Sequence, residues 1–334
     1  MKIVILRKAN SMIISGVKTM LKYVIKRICG LFAVLFGVSV LTFVLTTFIQ
    51  GNPAEIALRR AGIEATLEDI AMMERQLGLD RTVPEQYFMW IGNALRLDFG
   101  ESNITRRPVI QELALRLPAT ASLAIGAFAL MFVLSVPIGI LSVAFHGRWP
   151  DKIISAFSFV VMGIPGFVLG TVLLYFISVR LELLPMIGEI TPARYILPVV
   201  TLALPMACRY IRIVKAGILD VLGEDYILLL RVQGLREATI LYGNALKNAF
   251  IPILNLMGLS FGTLLGGAIV VETIFSWPGL GSYLMSSIAA RDFPVLIAYI
   301  LLMATAFVII NFLVDFIACL LDPRISLKEE ARLR

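Results

Sequence analysis

A chain of 334 residues that is 59% hydrophobic and 16% charged, with a mean hydropathy of +0.89, lies far outside the range of soluble globular domains. Its net charge of +7 is divided among separate segments that flank apolar runs, with no contiguous basic face, which argues against nucleic acid as a partner. The composition is that of an integral membrane protein surrounded by lipid.

Residues 1–27 form a basic tail ahead of the first apolar run, Ile28 to Ile49. That run is too long for the core of a signal peptide, and Gln50-Gly51-Asn52-Pro53 after it offers no small-residue cleavage pattern, so it reads as a retained anchor. Met20, in "MLKYVIKR", is itself a sound start for the chain. Segment 50–119 is polar, carries an acidic helical pattern from Leu67 to Leu77, and is punctuated by Gly78, Pro84, Gly100 and Pro108. It reads as a few short helices capping the bundle.

Five more runs follow, at Thr120 to Phe145, Ile154 to Val179, Ile196 to Val214, Phe250 to Val271 and Val295 to Leu320. Each is long enough for about 30 Å of hydrocarbon, which takes roughly 20 helical residues. The fourth is the weakest, because Pro198 and Pro205 interrupt its period. The runs are continuous, whereas a barrel needs short alternating segments, so the expected class is an all-α membrane protein with six transmembrane helices.

Lysine placement orients the bundle. With the amino terminus inside, all nine lysines fall on the cytoplasmic side, and the inside carries 19 basic against 8 acidic residues while the outside carries 11 against 14. Segments 215–249 and 321–334 are then cytoplasmic and 272–294 is external. Cys29, Cys208 and Cys319 have no metal or disulfide spacing, and His146 stands alone in an inner turn. No metal site, no nucleophilic triad and no Gly-Lys phosphate loop is present, so this chain is read as a non-enzyme that binds no cofactor itself.

The stretch "EDYILLLRVQGLREATILYGNALKNAFIP" is conspicuous as a charged helical segment between two spans. Tyr226, Leu229, Leu230 and Gln233 share one helical face and need a cover, either the bilayer and bundle surface or a soluble partner. Gly234 permits a turn between two short helices. The segment resembles the cytoplasmic coupling loop of ABC-importer permeases of the dipeptide, oligopeptide and nickel family. Asp225, Tyr226, Arg231, Gly234, Leu235, Leu246, Asn248, Ala249 and Pro252 stand where that pattern has them, Lys247 stands for the usual arginine, and Leu230 replaces a common alanine.

Further matches run from Met20 to Ile325, among them "LGLDRTVPEQYFMWI", "GIPGFVLG", "VVETIFSWPGLG" and "LDPR". They are similar to the family member with a long first periplasmic loop. The resemblance implies a type I ABC-importer permease fold in the bacterial inner membrane, with both termini cytoplasmic. It also implies a second, homologous permease, two cytoplasmic ATPase subunits that carry ATP and Mg, and an external solute-binding protein. ATPase contacts would then be Asp225, Tyr226, Leu229, Leu230, Arg231, Gly234 and Leu235.

Lesser candidates follow. Pro165 breaks the third run, so Met162, Gly163, Pro165 and Phe167 are read either as pore lining or as a plain kink. Trp277, Pro278 and Gly279 are read as an outer turn that touches the binding protein. Asp315, in the sixth run, is expected either to pair with Arg209 or Arg212 or to snorkel to the interface. "LRLDFGES" resembles nickel and metal-opine members, and peptide and metal-chelate cargo remain rivals. A self-sufficient ion-coupled carrier or channel is the alternative from another class, and a pure scaffold is the third.

Overall fold

The structure is a computed structural model and describes residues 29–44, 54–55, 58, 66–185, 188 and 191–321. The basic tail 1–27, the Gly51-Asn52-Pro53 motif and the "LDPR" segment lie outside them. Among the described residues no sheet forms, and the β-type pairing present is an isolated bridge between Glu101 and Pro108.

Helix α1, Cys29–Val44, is apolar and short. Helices α2, Leu67–Leu77, and α3, Val83–Leu95, occupy the outer segment. Then come α4, Val109–Ala144, α5, Trp149–Gly163, and α6, Gly166–Leu173, which continues as a wider turn through Leu174–Arg180. Helix α7 spans Pro192–Leu222 and α8 spans Asp225–Val232. The chain proceeds through α9, Leu246–Ile274, α10, Leu280–Ala289, and α11, Phe293–Leu321. Among the described residues four helices are long and apolar enough to cross a membrane, and the bent pair α5 with α6 to Arg180 makes a fifth if it counts as one span.

The chain divides into two compact units. One comprises Cys29–Leu115 with Ser286–Thr305. Here α1 packs on α3: the Ser39 hydroxyl lies 2.7 Å from that of Tyr87, and the Phe43 ring meets Tyr87 and Trp90 at 5.4 and 5.8 Å. Local chemistry sets α2 and α3, since Thr66 with Asp69 and Thr82 with Glu85 form reciprocal caps that satisfy free N–H groups. Those hydrogen bonds, first the one from each threonine hydroxyl, hold the Asp69 and Glu85 carboxyls below their usual range. Gly78 ends α2 at φ 69°, a conformation that glycine adopts without strain.

The other unit comprises the described residues of Arg116–Met285 and Ala306–Arg334. Its centre is α7, which the sequence marks as the weakest span and which is instead a single 31-residue helix. Pro198 and Pro205 do not end it. Leu197, Leu202, Ala203, Ala207, Val214 and Ile218 are all buried, so packing from neighbouring helices outweighs the lost backbone bonds. Small side chains matter at this centre, because without a hydrophobic driving force in lipid helices associate by close contact.

The third run is not one helix, and of the two readings of Pro165, a break that lines a cavity or a plain kink, the bend is too large for a plain kink. The axes of the two halves differ by 101° at Ile164 and Pro165. Pro165 has no N–H to give, and it forces Ile164 into an extended conformation at φ −85°, ψ 123°. The second half restarts on the Pro165 carbonyl, which accepts from the Val168 and Leu169 amides.

Candidate functional site

The coupling segment is built from the helix outward. Asp225 in the first turn and Arg231 in the last favour α8 through its dipole. The helix ends in a paired-carbonyl stop: the Gly234 amide donates to Arg231 O at 3.0 Å and the Leu235 amide to Leu230 O at 3.2 Å. Gly234 sits at φ 79°, in the left-handed region that strains any residue with a Cβ, so the turn requires glycine here. Arg231 then bridges the turn to Glu237, Nε to Oε1 at 2.8 Å. Beyond it Ile240 is fully buried and the chain enters α9.

The outward face of α8 is broader than the expected one. Ile227 is fully buried and fixes the inward direction. Leu230, three residues on, is half-buried beside it. The exposed stripe is Leu228 at 61%, Leu229 at 62% and Val232 at 78%, with Asp225 one turn earlier. Tyr226 is at the margin, and its hydroxyl accepts from Asn248 Nδ2 at 2.8 Å, which ties α8 to α9. Of the expected face, Tyr226, Leu229 and Gln233 are exposed and Leu230 is half-buried, while Leu228 and Val232, at i and i+4 spacing, extend the exposed stripe beyond it.

Met162, Gly163, Pro165 and Phe167 cluster at the 101° break and are exposed. On α7, Arg209 and Arg212 are exposed too, but among the described residues neither forms an ion pair with Asp315, which is half-buried on α11. The ion pair that α7 does make was not foreseen. Lys215 Nζ lies 2.5 Å from Asp151 Oδ1, and Asp151 also accepts from the Ser142 hydroxyl at 2.5 Å and the Gly147 amide at 3.0 Å. His146 Nδ1 is 3.6 Å from the same carboxylate.

Removing one partner of such a buried pair leaves an uncompensated charge. Asp151→Ala is expected to destabilise the protein by about 3–5 kcal/mol, and adding Lys215→Met is expected to recover part of that loss. A double-mutant cycle on thermal unfolding in detergent measures it, and strictly additive losses would refute the pair.

At the opposite end of α9 the expected partner-facing turn is inverted. Trp277 is 1% exposed and Gly279 is buried, while Pro278 alone of the three is exposed. The Trp277 indole N–H donates to Ala119 O at 3.1 Å, its ring meets Tyr195 edge-on at 5.4 Å, and the Arg194 guanidinium lies 5.6 Å from its centroid. Arg194 also donates to Ser276 O at 2.9 Å. Beneath this plug lies Glu272, fully buried, whose carboxyl accepts from the Thr120 hydroxyl at 2.5 Å and from the Gly281 and Ser282 amides at 2.6 and 3.1 Å. A Cβ at Gly279 would overlap that carboxyl. A tryptophan held this way braces this end of the bundle and offers no exposed surface to a docking protein.

With this geometry in place, residues 135–327 match the family described as binding-protein-dependent transport system inner membrane component. Residues 20–124 match the accompanying N-terminal domain of such membrane components. The chain is 41% identical over 309 residues to the glutathione transport system permease protein GsiC of Pectobacterium atrosepticum, and 40% identical over 309 residues to that of Escherichia coli strain K12. Each alignment covers 92% of this chain and 100% of the relative. Among solved structures it is similar to two inward-facing crystal forms of the MetNI methionine ABC transporter, with TM-scores of 0.51 and 0.53 and 20% identity in both. Those matches cover 66% and 63% of this chain and 96% of the other, and they bear on fold alone.

Proposed function

This chain belongs to the binding-protein-dependent transport system inner membrane component family, and from that premise we propose that it forms half of the translocation pore for a small peptide-like solute. It is a multi-pass permease subunit of an ABC importer in the bacterial inner membrane, ATP hydrolysis is the task of separate ATPase subunits, and a solute-binding protein delivers the cargo. The other half of the pore is a second, homologous permease. Both termini and α8 face the cytoplasm in this reading, which the lysine distribution supports. The ATPases carry ATP and Mg.

The exposed stripe of Leu228, Leu229 and Val232 on a capped, glycine-terminated helix is the observation that carries the coupling role. Three large apolar groups on a water-facing helix are stable only when covered, and the notch of an ATPase covers them. Closure of the ATPases around nucleotide shifts α8, and the hydrogen bond from Asn248 to Tyr226 passes that shift into α9. The bundle then exchanges inward-open for outward-open because nucleotide binds one arrangement more tightly. The exposed residues at the helix break, Met162, Gly163, Pro165 and Phe167, line the path.

Peptide-like cargo is favoured over nickel or a metal chelate by the identity to glutathione permeases along the full length of those relatives. The test is reconstitution of this chain with its second permease and ATPases in proteoliposomes. ATPase activity should rise on addition of a binding protein loaded with glutathione. Stimulation by a nickel-chelate-loaded binding protein alone would overturn the cargo reading, and solute flux without any ATPase would overturn the importer reading in favour of a carrier.

A further inference from the structure

A half-open cleft of about 410 Å³ lies between α5 and α7, lined by Ser155, Phe159, Arg212, Lys215, Ala216 and Leu219. Each wall is one helical stripe, since Ser155 and Phe159, Arg212 and Ala216, and Lys215 and Leu219 are each four residues apart. Its two cations are not equivalent. Lys215 is neutralised by Asp151 at 2.5 Å. Arg212 is exposed, has no carboxylate partner among the described residues, and donates only a weak contact of 4.0 Å to the Met162 sulfur.

An uncompensated guanidinium on an apolar membrane helix is a costly placement unless an anion or the interface reaches it. Apart from the Ser155 hydroxyl and the two cations, the lining is apolar, with Phe159 70% exposed along one wall. The Ser155 hydroxyl already lies 3.5 Å from both Asp151 Oδ1 and Lys215 Nζ, so the cleft is amphipathic, with one free positive charge beside greasy walls. A free phosphate has no apolar part, so it does not match both features.

We infer that this cleft seats an anionic phospholipid, with the headgroup phosphate on Arg212 and an acyl chain along Phe159 and Leu219. A planar guanidinium offers two parallel N–H donors to phosphate oxygens. Depth agrees with the headgroup level. Trp149, 73% exposed, opens α5 as an interfacial tryptophan would, and Ser155 lies about 9 Å further along the helix, within reach of a snorkelling arginine. Basic clefts between membrane helices near the cytoplasmic face are a recurring setting for such headgroups.

The assembled transporter, delipidated in detergent, tests this by native mass spectrometry during titration with phosphatidylglycerol, phosphatidylcholine or inorganic phosphate. Wild type should hold phosphatidylglycerol in preference to phosphatidylcholine, Arg212→Gln should weaken that binding about tenfold or more, and Arg212→Lys should restore part of it. Arg212 is exposed, so an unchanged melting curve for Arg212→Gln separates loss of the ligand from loss of the fold. Equal retention by wild type and Arg212→Gln, no preference for the anionic headgroup, or competition by inorganic phosphate as strong as that of the lipid would each overturn the proposal. So would efficient cross-linking of Ala216→Cys to the second permease in the membrane, which would show that protein fills the cleft.

Discussion

Glu272→Ala is expected to lower the stability of the purified protein by about 3–5 kcal/mol, read as a fall in the thermal midpoint by circular dichroism. The carboxyl has no solvent contact and holds three donors at once, the Thr120 hydroxyl and the Gly281 and Ser282 amides. Truncation orphans all three in a space that water does not reach, and each buried unpaired group costs about 1–3 kcal/mol. It also empties the volume against which Gly279 packs. Glu272→Gln keeps the shape and an oxygen for the two amides but turns an amide N–H toward the Thr120 hydroxyl that donates to the native carboxylate, so it should fall between wild type and Glu272→Ala. A melting curve for Glu272→Ala that overlays wild type would show that the network does not brace the outer end. Because Trp277 and Leu280 are seated by the same group of contacts, through Ala119 O and the Thr120 hydroxyl, transport should fall together with stability.

The combined substitution Leu228→Asp with Leu229→Asp is expected to abolish capture of the ATPases and ATP-driven uptake, with the fold intact. Full burial of a leucine contributes about 1.5–3 kcal/mol, so loss of two from one interface weakens it at least about a hundredfold. Both side chains are more than half exposed in the isolated chain, so stability should stay within about 0.5 kcal/mol of wild type. Tyr226→Phe gives the contrast. It removes the hydrogen bond from Asn248 but keeps the ring, so it should cost about 1 kcal/mol in stability and leave ATPase capture largely in place. Co-purification on a tagged permease with quantified ATPase stoichiometry reads both variants, and undiminished capture by the double variant would remove α8 as the docking face.

These two cases show different kinds of legibility. Around Tyr226, spacing and turn chemistry were enough to locate a short helix, its glycine stop and its need for a cover. The full width of its outward face was not readable, because only the burial of Ile227 decides which side of the eight-residue helix meets the bundle. Glu272 was passed over inside "VVETIFSWPGLG" because a single carboxyl in an apolar run has no local partner. Its donors come from Thr120, more than 150 residues away along the chain, and from amides beyond a turn. Trp277 was misread for the same reason: exposed aromatic turns and buried aromatic plugs look alike until the acceptor at Ala119 is in place.

Much followed from the order of residues alone: a helical membrane protein, the α2 boundaries at Leu67 and Leu77, and the family pattern around Gly234. All of these rest on local or summed properties, such as apolar length against bilayer thickness, capping pairs three residues apart, and a positive φ that only glycine holds easily. Tertiary structure decided the continuity of α7 through two prolines, the 101° break at Pro165, and the choice of Lys215 with Asp151 as the buried ion pair. Each of those is a competition between a local preference and contacts from distant segments, and the winner depends on which atoms packing brings within a few ångströms.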